Sequence, residues 1–162
     1  MQKRFLTVVI GCAMIATGAI SAVAQTKMPQ MKFRDRTLAN GLRVLSVVDK
    51  SSPTVAINVW YHVGSKDDPD QRSGFAHLFE HIMFKSTKNM KAEMMDRLTE
   101  DVGGNNNAYT ADDVTVYYEV VPSNYLETLL WAEADRLSGL TVDEESFHSE
   151  RAVVEEEFRG PE

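Results

Sequence analysis

Five consecutive residues, His77-Leu78-Phe79-Glu80-His81, constrain this chain more than any other feature. On a helix, at about 100° per residue, Glu80 and His81 fall roughly 60° and 40° either side of His77, so all three side chains share one narrow face. Leu78, Phe79 and Ile82 fall on the other side and are expected to dock the helix. Two imidazoles one turn apart can bind a single zinc ion, and a carboxylate between them can reach a water at that ion. The order inverts the commoner His-Glu-x-x-His. A fold that uses it must bring a third ligand from elsewhere in the chain.

The last predicted helix offers one. Asp143 is a ready side-chain cap, and the helix runs to about Arg159 with Glu155, Glu156 and Glu157 in its closing turns. Taking Glu150 as the origin, Phe147, Val153, Val154 and Phe158 fall within about 80° of it, and Glu157 within about 20°. Glu155 and Glu156 point away, at about 140° and 240°. Glu150 and Glu157 are thereby expected on the apolar face, where a carboxylate costs several kcal/mol of desolvation unless a cation or donors compensate it. Either zinc held by His77 and His81 or a buried arginine such as Arg97 or Arg136 meets that need. His62 and His148 receive no role.

At the other end, Met1–Ala24 reads as a secretory leader. Lys3 and Arg4 precede an uncharged run from Phe5, and Ala22-Val23-Ala24 forms a small-x-small cleavage site before Gln25. The alternatives are an uncleaved anchor, since the run Phe5–Ala24 is long enough to span a bilayer, and lipidation at Cys12 in Val9-Ile10-Gly11-Cys12. No stable membrane anchor is expected. Export implies an oxidising compartment, expected to be the periplasm, yet Cys12 is the sole cysteine. The mature fold must therefore rest on packing or a metal rather than disulfides. The chain carries 17 Lys+Arg against 24 Asp+Glu, and loss of Lys3 and Arg4 leaves 15 against 24, moving the net charge from −7 to −9. That balance argues against nucleic acid as a partner.

Residues 25–32 read as a linker and residues 33–162 as one domain. Phe33–Leu38 and Leu42–Val48 flank Ala39-Asn40-Gly41 as a predicted hairpin, with Asn-Gly supplying positive φ. Thr54–Val63 alternates Val55, Ile57, Val59, Tyr61 and Val63 on one face, the period of a strand. After a charged loop, Gly64–Arg72, Ser73 is expected to cap a helix from Gly74 to about Lys85. A second helix is expected over Lys91–Val102, stopped by Gly103-Gly104. Strands are expected over Asn105–Thr110 and Val114–Val121, the latter ended by Pro122. Ser123 is expected to cap a helix Tyr125–Ser138, which Gly139 ends. Strand runs interleaved with helix pairs predict an α+β domain, a largely antiparallel sheet packed against helices.

These residues resemble the pitrilysin/insulinase peptidases, which include the mitochondrial processing peptidases and insulin-degrading enzyme. Gly74-Phe75-Ala76-His77-Leu78-Phe79-Glu80-His81-Ile82-Met83-Phe84 looks like the family's zinc helix, and Glu150-Arg151-Ala152-Val153-Val154-Glu155-Glu156-Glu157 like its second metal segment, 75 residues after His81. The resemblance implies zinc ligation by His77, His81 and Glu157, general-base catalysis by Glu80, and a supporting carboxylate at Glu150. Gly103–Thr110 resembles the family's peptide-binding edge strand, with Asn107 and Ala108 as the implied contacts. Ser86 stands where the family commonly has glycine.

The resemblance also implies a second domain or subunit that closes over the peptide and supplies an arginine and a tyrosine, which makes this sequence an N-terminal fragment, C-terminally incomplete. The expected function is zinc-dependent endoproteolysis of peptides or unfolded segments by an activated water. The alternatives are a non-catalytic peptide-binding subunit of a paired complex, and a zinc-stabilised structural domain.

Overall fold

The computed structural model describes residues 30–160. The leader Met1–Ala24, Cys12 within it, and linker residues 25–29 lie outside the described residues. No helix among the described residues is long and apolar enough to cross a membrane. Two compact units divide after Val48.

The first is an antiparallel hairpin of β1 (Phe33–Thr37) and β2 (Arg43–Val47), closed at Thr37↔Arg43. Its connection spans residues 38–42. Only Gly41 takes a positive φ, +89°, while Asn40 stays outside that region and its side-chain oxygen accepts from the Leu42 N–H at 3.1 Å. The Asn-Gly pair thus turns the chain by one glycine and one side-chain hydrogen bond, not by two left-handed residues.

The second unit is built on an antiparallel sheet of β3 (Thr54–Tyr61), β4 (Asn105–Thr110) and β5 (Thr115–Pro122) in the order β3-β5-β4. Four helices accompany it: α1 (Phe75–Ile82), α2 (Met94–Glu100), α3 (Leu126–Gly139) and α4 (Glu144–Arg159). Helices and an antiparallel sheet together make the α+β class read from the sequence. The alternation in β3 survives as half-buried Val55, Ile57, Val59 and Tyr61; Val63 lies beyond the strand end and is exposed.

Register puts Tyr117 opposite Val59 and Ala108, and Glu119 opposite Ile57 and Asn106, so one face of the sheet collects these side chains. The first three helices each hydrogen-bond to that face. Tyr117 donates from its hydroxyl to the Glu80 carbonyl of α1 at 3.3 Å, Asn106 donates to Thr99 Oγ1 of α2 at 2.5 Å, and Arg136 of α3 donates to Glu119 at 3.3 Å. Ile82, Leu129, Ala132, Val121 and Met95 are buried between.

Several helix ends differ from expectation. Ser73 does not cap α1. Instead Asp68, six residues before Gly74 in the charged loop, accepts from the Gly74 N–H at 2.7 Å and the Ala76 N–H at 2.8 Å. Gly74 itself sits at φ +88°, a conformation open to glycine at little cost. A carboxylate at the free N–H groups of a helix start combines capping with favourable dipole electrostatics. α1 ends at Ile82, short of Lys85, as the chain tightens through Phe84 N–H to His81 C=O and Lys85 N–H to Ile82 C=O. α2 starts only at Met94, after Glu93 at φ +62° breaks the helix expected from Lys91. Ser123 opens a short 3₁₀ turn, and α3 proper begins at Leu126. Asp143 caps α4 as read, accepting from the Ser146 N–H at 2.7 Å.

Phe79 is also not part of the docking face. It is exposed, tilted against Phe75 at 5.0 Å, while Ala76, Leu78, Glu80 and Ile82 are the buried residues of α1. The buried arc is rotated toward Glu80 because that side of α1 rests on β4 and β5.

Candidate metal centre

One turn of α1 sets His77 and His81 side by side, and α4 crosses them with Glu157. His77 Nε2 lies 3.2 Å from His81 Nε2, and Glu157 Oε2 lies 3.3 Å and 3.5 Å from those two nitrogens. Three protein atoms that ligate zinc tetrahedrally at about 2.05 Å stand about 3.3–3.4 Å apart. The triangle found has that size.

Proton bookkeeping points the same way. The second nitrogen of His81, Nδ1, faces Glu150 Oε2 at 3.3 Å, and a carboxylate can only accept, so Nδ1 carries the hydrogen. In the neutral ring His81 Nε2 then carries the lone pair, directed at a carboxylate oxygen and a second imidazole. Converging lone pairs are what a cation relieves. The residues present fit a zinc ion.

Glu150 is 6% exposed. Its compensation comes from His81 and from Lys85, whose ammonium reaches Oε1 at 2.8 Å. Neither arginine considered for this role supplies it: Arg97 is exposed and Arg136 is engaged with Glu119 and Glu133. Lys85 was not legible as the partner because its reach depends on how α1 ends. Glu157, by contrast, is about half exposed; Val153 nearby is exposed too, and Phe158 is almost wholly so. The apolar face of α4 is inward through Phe147, Glu150 and Val154 and runs out to solvent in its last turn, so the desolvation expected at Glu157 falls on Glu150 instead. Glu155 and Glu156 do point away, pairing with Arg151 and Arg159 on the surface.

Glu80 is 8% exposed, with its carboxylate held by the Thr110 hydroxyl at 2.5 Å. Thr110 is the last residue of β4, which among the described residues pairs only with β5 and so offers a free edge. On that edge the Ala108 N–H turns to the Asn107 side-chain oxygen at 2.8 Å. Asn107 is exposed and Ala108 half-buried. A cleft of about 650 Å³ joins the two halves of the picture, lined by His77, Glu80, His81 and Glu157 on one side and residues Asn107 to Thr110 on the other. His62 and His148 are exposed and lie outside its lining.

Behind the cleft is a buried ionic cluster that the sequence reading missed. Arg136 and Glu119 are each 1% exposed, and the guanidinium also pairs with Glu133 and lies 4.3 Å from the Tyr117 ring centroid. One cation faces two carboxylates. Burial first, then the neighbouring Glu133, push the Glu119 carboxyl up to about 9, with Arg136 opposing. A lone glutamate within the β-branched and tyrosine run Thr115–Val121 was the available signal.

Residues 43–160 match the family model described as insulinase, peptidase family M16. A protein described as zinc protease PqqE of Helicobacter pylori is 37% identical over 158 residues, covering 97% of this chain and 35% of that protein. A probable mitochondrial-processing peptidase subunit beta of Arabidopsis thaliana is 35% identical over 126 residues, covering 78% of this chain and 24% of its own length. Among solved structures, a protease from Helicobacter pylori superposes with a TM-score of 0.76 at 38% identity, over 80% of this chain and 31% of that one. The chain spans about a quarter to a third of the length of these proteins.

Proposed function

The chain belongs to the insulinase family of peptidases, and from that premise we propose that it is the zinc-binding part of a metalloendopeptidase acting on peptides or unfolded segments. The observation that carries this reading is the triangle of His77 Nε2, His81 Nε2 and Glu157 Oε2, with edges of 3.2–3.5 Å, beside a buried and oriented Glu80.

His77, His81 and Glu157 would hold one zinc ion. Bound there, zinc supplies a Lewis acid that makes water nucleophilic near neutral pH and polarises the scissile carbonyl. Glu150, fixed by Lys85, keeps His81 in the tautomer that presents Nε2 to the site. Glu80 takes a proton from the attacking water and delivers it to the leaving amine. An extended peptide adds to the free edge of β4, where Asn107 and Ala108 meet its main chain; the Asn107 side chain must then leave the Ala108 N–H.

The cleft lining among the described residues contains no lysine or arginine. We therefore place the remaining oxyanion stabilisation on a second family domain or subunit that closes over the peptide. That the Arabidopsis relative is named as a subunit supports a paired arrangement. The leader read at Met1–Ala24 supports export, with cleavage after Ala24 and residence in the periplasm.

Chelation tests the whole reading. Hydrolysis of an unstructured peptide by the protein at its full natural length is expected to fall to background after chelator treatment, and to return with one equivalent of zinc. Turnover that survives complete removal of metal would overturn it.

A further inference from the structure

We infer that Thr110 is a positioning residue that fixes the Glu80 carboxylate for proton transfer, an inference that rests on the reading of Glu80 as the proton acceptor. The Thr110 hydroxyl lies 2.5 Å from Glu80 Oε2. Its cross-strand partner Thr115 places a second hydroxyl 3.3 Å away, and Thr115 donates to the Val63 carbonyl at 2.9 Å. A carboxylate and a carbonyl only accept, so both hydroxyl hydrogens are committed: that of Thr110 to Glu80 and that of Thr115 to Val63.

Among the described residues, Thr110 is the one side-chain donor to this carboxylate. A glutamate has three side-chain torsions, and a single charge-assisted bond to Oε2 pins the group while leaving Oε1 for a water. A hydroxyl also serves the protonated state. When Oε2 carries the proton it donates to Thr110 Oγ1, whose own hydrogen turns to Thr115 Oγ1, so the proton count is preserved and no polar atom is stranded. Because Thr110 ends the edge strand, the element offered to a peptide and the group that orients the base are one rigid piece of sheet.

The test compares Thr110→Val, Thr110→Ser, Glu80→Gln and Thr110→Val/Glu80→Gln in the full natural-length protein. Valine keeps the β-branch and volume while removing the hydroxyl. Thr110→Val is expected to lower kcat about 10–100-fold with KM and zinc content unchanged, and Thr110→Ser to recover to within about threefold. On the Glu80→Gln background the valine substitution should cost nothing further. A double-mutant cycle of Thr110→Val with Glu80→Ala, which unlike glutamine leaves the hydroxyl no acceptor, on urea unfolding of the metal-free protein supplies a readout independent of turnover, with a coupling of about tenfold in the unfolding equilibrium constant.

Wild-type kcat in Thr110→Val, losses that multiply with those of Glu80→Gln, or an effect confined to KM would each overturn the inference. Full activity in Glu80→Gln would instead remove Glu80 from the mechanism, whatever Thr110 does.

Discussion

Replacing Glu80 by glutamine is expected to reduce kcat for peptide hydrolysis by about 10²–10⁴-fold, the range associated with loss of a positioned general base. The substitution changes one oxygen for an amide nitrogen, and the Thr110 hydroxyl retains an acceptor at the remaining oxygen. Zinc content should not change, because Glu80 lies outside the triangle formed by His77, His81 and Glu157. Thermal stability should hold as well, since the carboxylate makes no ion pair among the described residues. Parallel measurement of turnover, metal content and melting separates loss of the base from loss of the site. A variant with undiminished kcat would remove the base from Glu80.

The second large effect lies behind the cleft. Arg136→Met is expected to destabilise the fold by about 3–5 kcal/mol, because it leaves Glu119 and Glu133 buried without their cation. Replacing all three by apolar residues of similar volume should recover most of that loss, as an ionic cluster taken out whole leaves no charge stranded. Urea unfolding of the two variants checks both statements.

The cluster also sets a pH dependence. The folded-state value of Glu119, about 9, stands above its ordinary 4.5. The folded protein therefore binds a proton that the unfolded chain releases between those values. Stability from this group is complete below about pH 4.5 and is lost as pH rises toward 9, so Glu119→Gln should flatten the fall in stability across that window. The same cluster bears on the site, since the Arg136 guanidinium stacks on Tyr117 and the Tyr117 hydroxyl holds the Glu80 carbonyl.

Much of the site was legible because helical periodicity is a local rule. The angles between His77, Glu80 and His81, and the choice of Glu157 over Glu155 and Glu156, follow from 100° per residue alone. Burial was less legible, because it depends on what packs against a helix. Phe79 and Glu157 both lie farther from the core than their helical phase implies, and Glu80 lies deeper. The partners of charged groups were least accessible. Asp68 caps α1 from a loop, Lys85 reaches Glu150 from the turn that follows α1, and Thr110 meets Glu80 across 30 residues of sequence. Each needs the three-dimensional path of the chain, which composition and spacing do not carry.

The fold shows the same division. Strand alternation in β3, the glycine at the hairpin turn and the Asp143 cap follow from short-range chemistry. The order β3-β5-β4 and the arrival of three helices on one face of the sheet are long-range outcomes, fixed by the inward row Val59, Tyr117 and Ala108 and its neighbours.

A diffraction measurement at the zinc absorption edge, on crystals of the full natural-length protein purified with zinc, bears most directly on the account. It predicts a single strong anomalous peak bonded to His77 Nε2, His81 Nε2 and a Glu157 oxygen, with Glu150 against His81 Nδ1 and not on the metal. A peak elsewhere, or zinc-replete protein with no peak between α1 and α4, would contradict it.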